Sequence, residues 1–486
     1  MTANQTRANR TYDEIAIGDE ATVRRVCTGR DMIVFAHASG NYNPLHLPHA
    51  NRDGEHGVVA PSMWVGSLFS AVLGNLLPGF GTLYLGQTLK FHGRAHVGDH
   101  LSVRVTVVDK RPDNIVVLSC IVVRDPDENG AGETLLCEGL AEVVAPTEAQ
   151  HIAADALPDL LVESHRHFDA LMHACEGLPP LPTAVVAPEE ESALAGAFLA
   201  ADQDLIAPVL VGDAARMAEV AATMGRTLDG YEVIDVPDHL AAAARAVALV
   251  HEGRAKALMK GHLHTDILLG QVTKRDGGLR TGRRISHVFV MDVPGLDHLL
   301  LISDSAINIA PDLDAKVDIT QNAIDVGRAL GLGTPRVGVL SAVETVNPKI
   351  PSTLDAAILS KMAERGQIKG GIVDGPLAMD NAIDIHAAET KGITSLVAGR
   401  AEVLIVPNLE SGNMLAKELA FVAHAESAGL VLGAKVPLMV TSRADNDRAR
   451  LISCAVALLY QYWASTGSSR LDEDAETPAR PMRAAQ

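Results

Sequence analysis

The chain changes rhythm near residue 183, and that change limits its fold more than any other feature. From there on, short continuous apolar runs alternate with Ala-rich stretches of helical composition. The runs are 183–187, 208–212, 256–261, 287–292, 299–304, 336–341, 370–375, 402–407 and 437–442. Helix candidates at 318–330, 352–365, 411–428 and 445–463 lie between or after them. Strands that are apolar on both faces and separated by helices predict a parallel, doubly wound α/β sheet. At about 290 residues the region has room for two lobes.

Residues 10–147 follow another pattern. The stretch 62–77 is a helix candidate that is apolar nearly all round, so it is expected to be buried, and Pro78 ends it. Strand candidates follow at 83–92, 100–109, 115–124 and 134–144; in 101–107 apolar and polar residues alternate, as in a half-buried antiparallel strand. A buried helix followed by an antiparallel meander predicts an α+β domain. Residues 148–182 are Pro-containing and read as a linker, with a possible helix over 159–175. The polar tail 465–486 is expected to be disordered.

Composition removes several function classes. The net charge of −19 is wrong for nucleic acid, which is held by neutralising phosphates with Lys and Arg. Eight Phe, six Tyr and two Trp are too few for base-stacking platforms. No apolar run reaches a membrane span, and the N-terminus has no secretory apolar core. Five scattered Cys without a CxxC predict reduced thiols in a cytoplasmic protein and no metal site. GxGxxG after a strand, GxxxxGK[ST], HExxH and GxSxG are all missing.

In open α/β sheets, ligands sit at the carboxyl ends of the strands. The residues expected there are Lys260 and His262, Asp374, Ser411-Gly412-Asn413, and Ser442-Arg443. That set suits an anionic ligand. Two readings stay open for Ser411: an N-cap, or the start of a helix whose free N–H groups bind an anion. Arg443 is either a surface side chain or a two-pronged phosphate grip. Residues 254–284 carry eight basic and two acidic side chains, Arg284 among them. This segment is either a solvated loop at a subunit contact or an attraction site for a polyanionic substrate.

Residues 183–463 resemble the phosphate acetyltransferase/phosphate butyryltransferase family. The stretches that carry the likeness are MKGHLHTD (259–266), PRVGVLSAVETVNPKIPST (335–353), DGPLAMDNAI (374–383), AEVLIVPNLESGNMLAKEL (401–419) and PLMVTSRAD (437–445). KGHLHT, DGPLAMDNA and SRAD look closer to the butyryl branch. The resemblance implies acyl transfer between coenzyme A and inorganic phosphate as substrates, with no bound cofactor, in a homo-oligomer. It places Ser442 and Arg443 at the family's Ser-Arg pair, which binds phosphate and stabilises the transition state. The acetyl branch has an Asp base six residues after that Arg; here the position is Ala449, which leaves Asp445 or Asp447 as candidates.

FAHASGNYNPLHLPHA (35–50) and the stretch 58–91 resemble the MaoC-like, (R)-specific enoyl-CoA hydratase family. That likeness implies a hot-dog domain, giving an α+β hot-dog domain over 10–147 followed by a two-lobed α/β doubly wound domain over 183–464. The family pattern is SGDxNPLH. His46 is kept, but Asn41 stands where the catalytic Asp belongs, and an amide does not accept a proton at neutral pH. Ser62, after Pro61, holds the position whose backbone N–H meets the thioester oxygen. Three functional readings follow. One is a phosphate acyltransferase with an impaired hydratase-like domain. The second is a bifunctional hydratase and acyltransferase. The third, from another class, is a non-catalytic acyl-CoA-binding or assembly protein. None involves nucleic acid or membrane.

Overall fold

The computed structural model describes residues 7–48, 57–126, 132–152, 166–440 and 447–472. The chain divides into two compact units, residues 1–162 and 163–486.

The first unit contains β1 (Arg7–Ala8), β2 (Glu20–Val26), α1 (Gly29–Ser39), α2 (Ser62–Asn75), β3 (Leu83–Gln87), β4 (Lys90–Phe91), β5 (His100–Arg111), β6 (Ile115–Arg124), β7 (Thr134–Val144) and β8 (His151–Ile152). Its main sheet is antiparallel in the order β2-β5-β6-β7-β3, with β4 also on β7. Trp64, Val65, Leu68, Phe69, Val72 and Leu73 of α2 pack on the inward side chains of β5, β6 and β7, such as Val103, Leu118 and Val143. A helix buried on most of its surface needs a sheet curved around it, and that wrapped helix is the hot-dog arrangement. The expected strand 83–92 is divided into β3 and β4. The two-residue strand β8 pairs with β1, so the start of the segment read as a linker is part of this unit.

The second unit opens with α3 (Arg166–Ala174), inside the stretch where a linker helix was expected. Phe168 and Leu171 of α3 are buried in this unit's main core. The remaining strands are β9 (Leu181–Val186), β10 (Ile206–Gly212), β11 (Glu232–Asp235), β12 (Ala257–Lys260), β13 (Ser286–Asp292), β14 (Leu300–Ser303), β15 (Arg336–Leu340), β16 (Ile372–Leu377), β17 (Val403–Ile405), β18 (Glu426–Leu432) and β19 (Leu438–Met439). The helices are α4 (Glu191–Asp202), α5 (Ala214–Thr223), α6 (His239–His251), α7 (Thr265–Val272), α8 (Leu313–Ala329), α9 (Pro351–Glu364), α10 (Met379–Ile383), α11 (Ile385–Thr390), α12 (Leu409–Phe421) and α13 (Asp447–Thr466).

These strands form one sheet, in the order β11-β10-β9-β12-β19-β18-β13-β14-β17-β15-β16. It is not wholly parallel, as the apolar runs predict. The first five strands run one way and the last four the other; β18 and β13 between them are antiparallel to both neighbours. The reversal between the halves is the β13–β14 hairpin, whose connection over 293–299 is too short for a crossover helix, and a further antiparallel strand beside β13 is β18. Strand β18 occupies the end of the expected helix 411–428, because α12 stops at Phe421 and His424 takes a left-handed conformation (φ 54°). Helices α3, α4, α5, α8, α9 and α13 cover one face in a continuous core; α6 and α7 cover half of the other face, and α10–α12 its other half. The tail expected from 465 is in part structured: Ser469 is buried, with its hydroxyl on the Ala329 carbonyl at 3.0 Å, and Leu471 packs on the main core.

All five cysteines are buried and unpaired. Burial pushes the thiols of Cys27, Cys120, Cys175 and Cys454 up to about 12 and that of Cys137 to about 11. No helix among the described residues is long and apolar enough to cross a membrane.

Candidate active site

A crevice forms in an open α/β sheet where adjacent strands send their following helices to opposite faces. Two of the points in the second unit that meet this condition concern the expected residues. At the first, β9 leads into α4 on one face and the neighbouring β12 into α7 on the other. At the second, β14 leads into α8 and the neighbouring β17 into α12. Because strand direction reverses in mid-sheet, the two crevices open at opposite edges. The expected site residues therefore divide into two groups.

Lys260 and His262 belong to the first crevice. Lys260 ends β12, and its ammonium donates to the carbonyls of Gly261 (3.2 Å) and Leu263 (3.4 Å). The His262 imidazole bonds through Nδ1 to the Glu190 carboxylate. The backbone here is pinned: Gly261 N–H donates to the Val186 carbonyl (2.8 Å) and His262 N–H to that of Ala187 (2.6 Å). A Cβ at Gly261 would lie 2.5 Å from both the Val186 and the Ala187 carbonyl oxygens, so only glycine fits. Strand β19 pairs beside β12 with Met259 opposite Met439, which puts Lys260 level with Val440. Ser442, Arg443 and Asp445, which follow, lie outside the described residues. Asp447 is the first residue of α13; its carboxylate is 65% exposed and stands 3.5 Å from the buried Arg450 guanidinium.

Ser411, Gly412 and Asn413 lie at the second crevice. The helix there is capped by Asn408, whose side chain accepts from Ser411 N–H at 3.0 Å, so Ser411 closes a capping box and is not itself the cap. The N–H groups of Leu409 and Ser411 already have protein acceptors, so two donors that an anion would use at this helix start are occupied. A Cβ on Gly412 would come within 2.8 Å of Ser305 Oγ, and the Asn413 amide donates to the Ser305 carbonyl at 3.3 Å. This motif thus locks α12 onto the loop after β14. Asp304 organises that loop by accepting from the N–H groups of Ala306 (3.0 Å), Ile307 (3.2 Å), Asn308 (2.9 Å) and His287 (3.3 Å). Burial holds the His287 imidazole down at about 4, although the Asp304 carboxylate pulls the other way, so it is neutral near pH 7.

Arg284 lies near this same edge, in a pocket of 590 Å³ lined also by Arg280, Asn308 and Asp318. Its backbone N–H donates to the Asp318 carboxylate at 2.8 Å. Asp374 is placed differently from the expectation. It lies inside the edge strand β16, not after it, and is held by the Ser395 hydroxyl and the Gly375 N–H (2.8 Å). It stands seven inter-strand steps from Lys260, roughly 34 Å along the sheet at about 4.8 Å per step. Glu190, Asp304 and His287 were missed in the sequence. The rule of reading strand ends applies to Glu190 and Asp304, which follow β9 and β14; His287 carries no such signal.

In the first unit, Asn41 is exposed in the loop after α1, and its side-chain oxygen accepts from Asn43 N–H at 3.3 Å. His46 ends a 3₁₀ turn begun by Pro44, with Nδ1 on the Val59 carbonyl at 2.6 Å; that bond puts the proton on Nδ1 and leaves Nε2 as an acceptor. Ser62 is the first residue of α2 and exposed, as a first-turn N–H donor must be to meet a ligand. Among the described residues no cluster of three His, Cys, Asp or Glu side chains is placed to hold a metal.

Comparison with known proteins fits this architecture. The family model described as Phosphate acetyl/butaryl transferase matches residues 236–458. The chain is 59% identical over 293 residues to a phosphate acetyltransferase of Rhizobium meliloti, covering 60% of this chain and 93% of that one. It is similar to the solved branched-chain phosphotransacylase from Enterococcus faecalis, with 29% identity and a TM-score of 0.50 over 58% of this chain and 99% of that one. It is also similar to R-hydratase PhaJ1 from Pseudomonas aeruginosa, with 33% identity and a TM-score of 0.29 over 33% of this chain and 100% of that one. The chain belongs to the phosphate acetyl/butyryltransferase family. It is an acyltransferase that carries a hot-dog domain ahead of its transferase region.

Proposed function

We propose that the second unit catalyses acyl-CoA + phosphate ⇌ acyl phosphate + CoA on short acyl groups. The observation that carries the reading is the register of β12 and β19. It sets Lys260 and His262 beside the strand that runs into Ser442-Arg443, the pair matching the family's phosphate-binding Ser-Arg. In this reading Arg443 grips two phosphoryl oxygens at once, Ser442 donates to the developing negative charge, and Lys260 adds positive potential. Asp445 and Asp447 are the acidic candidates for proton transfer. No acyl-enzyme is needed, because holding the two substrates together supplies much of the acceleration. The 59% identity to a relative named phosphate acetyltransferase favours acetyl over butyryl as the acyl group. The five buried thiols support a cytoplasmic setting, and the family resemblance supports a homo-oligomer.

The test is CoA release from acetyl-CoA and from butyryl-CoA, with and without phosphate. The expected result is thiol release that requires phosphate and is faster with acetyl-CoA. Release indifferent to phosphate would sink the reading.

For the first unit we propose acyl-CoA binding with impaired hydration. His46 Nε2 and the Ser62 N–H remain available, but Asn41 supplies no carboxylate to share the proton work. Asn41→Asp is expected to raise crotonyl-CoA hydration, followed as loss of the enoyl thioester absorbance. Equal turnover in both forms would show that the missing carboxylate is not what limits this domain.

A further inference from the structure

The acyl-transfer reading leaves one role without a firm occupant: the group that moves the proton. The position matching the acetyl-branch base is Ala449, and Asp447 faces the Arg450 guanidinium. The first crevice contains another candidate. We propose that His262 carries the reaction's proton, with Glu190 as its positioning residue; this rests on the acyl-transfer reading above.

Three observations support it. First, the Glu190 carboxylate sits on Nδ1 of His262. A carboxylate there keeps the ring proton on Nδ1, presents Nε2 as the acceptor, and stabilises the imidazolium once it forms. Second, His262 is 36% exposed and Nε2 has no partner among the described residues, so a substrate can reach it. Third, the backbone under the ring is fixed to β9 by the Gly261 and His262 N–H bonds, at the crevice beside the end of β19. A base on pinned backbone keeps the geometry that proton transfer requires.

The neighbouring pair of Glu189 and His239 marks the contrast. It is built from the adjacent glutamate, at 3.0 Å, but Glu189 is 6% exposed and also accepts the Asp213 N–H. That carboxylate ties α5 and α6 to β9 and is structural. The other titratable groups on the loops around His262 are Lys260, His264 and Asp266.

The step balances with one proton and no redox change. Towards acyl phosphate, a phosphate oxygen attacks the thioester carbon and gives its proton to Nε2. The C–S bond breaks with its electron pair on sulfur, and the imidazolium returns the proton to the thiolate. In reverse, Nε2 takes the thiol proton, sulfur attacks the acyl carbon, the C–O bond breaks, and the leaving phosphate receives the proton.

The test compares wild type, His262→Gln, Glu190→Gln and His239→Gln in CoA acylation by acetyl phosphate across pH. His262→Gln is expected to lower kcat by about 10²-fold or more while KM for CoA stays within about threefold. The neutral imidazole is the active form, so wild-type kcat is expected to fall on the acid side of its pH profile. In His262→Gln that limb is expected to be lost from its wild-type position and to move toward the alkaline range where the CoA thiol ionises by itself. In Glu190→Gln the imidazolium loses a stabilising charge, so the limb moves to lower pH. His239→Gln is expected to keep the wild-type profile. A His262→Gln enzyme within about threefold of wild type, or one whose loss is matched by His239→Gln, would overturn the proposal. A wild-type enzyme without phosphate-dependent CoA release would instead overturn the acyl-transfer reading.

Discussion

Arg443→Ala is expected to lower phosphate-dependent CoA release by about 10²–10³-fold, the range for removing one preorganised charge-stabilising donor from an acyl-transfer site. The phosphoryl group carries two negative charges through the reaction, and a guanidinium meets two of its oxygens in a fixed fork. Lysine keeps the charge without the fork, so Arg443→Lys should recover part of the rate. The local surroundings make the substitution informative, because Lys260 supplies positive charge beside the same strand end and should preserve much of the long-range attraction. The loss should therefore fall mainly on kcat. Steady-state kinetics against phosphate and acyl-CoA separately would show it; an alanine variant near wild type would remove Arg443 from the site.

Gly261→Ala should damage both stability and rate. The added carbon would sit 2.5 Å from two backbone carbonyl oxygens of β9 and the residue after it. Backbone cannot rotate away as a side chain does, so the β12 end must shift outward. Overpacking of this kind costs about 1–3 kcal/mol, sometimes more. The shift also carries Lys260 and His262 with it, and a displacement of about 1 Å in a positioned group can cost 10²-fold in rate. Denaturant unfolding with a parallel activity assay would measure both. An alanine variant with wild-type stability and turnover would mean that the β9–β12 junction is not rigid.

Much of the fold was legible from apolar periodicity. The helix expected at 62–77 is Ser62–Asn75, and the strands expected at 115–124 and 134–144 have those bounds. The direction of the large sheet was not legible. Strand β18 has the sequence ESAGLVL, whose Ser-Ala-Gly start continues an Ala-rich helical stretch without a Pro to divide them. Missing it removed one antiparallel strand beside β13, while the opposition of the two halves comes from β13–β14, whose connection over 293–299 is too short for a crossover and makes a hairpin. Reading every strand as parallel made one site of residues that lie at two edges. Motif order showed which residues have matches in known enzymes, but only strand pairing places Lys260 beside the end of β19 and Asp374 far from both. The Glu190 contact to His262 joins positions 72 residues apart in the chain, so no local pattern announces it.

The burial of the five thiols has a practical consequence. A sulfhydryl whose pKa is raised by burial stays a thiol at neutral pH, and none of these side chains is open to reagent. A colorimetric thiol reagent added to native enzyme should therefore count liberated CoA against a nearly flat blank. Conversely, one cysteine introduced on the surface would be the sole labelling point, so a dye or spin probe could be placed near either crevice without first deleting native residues.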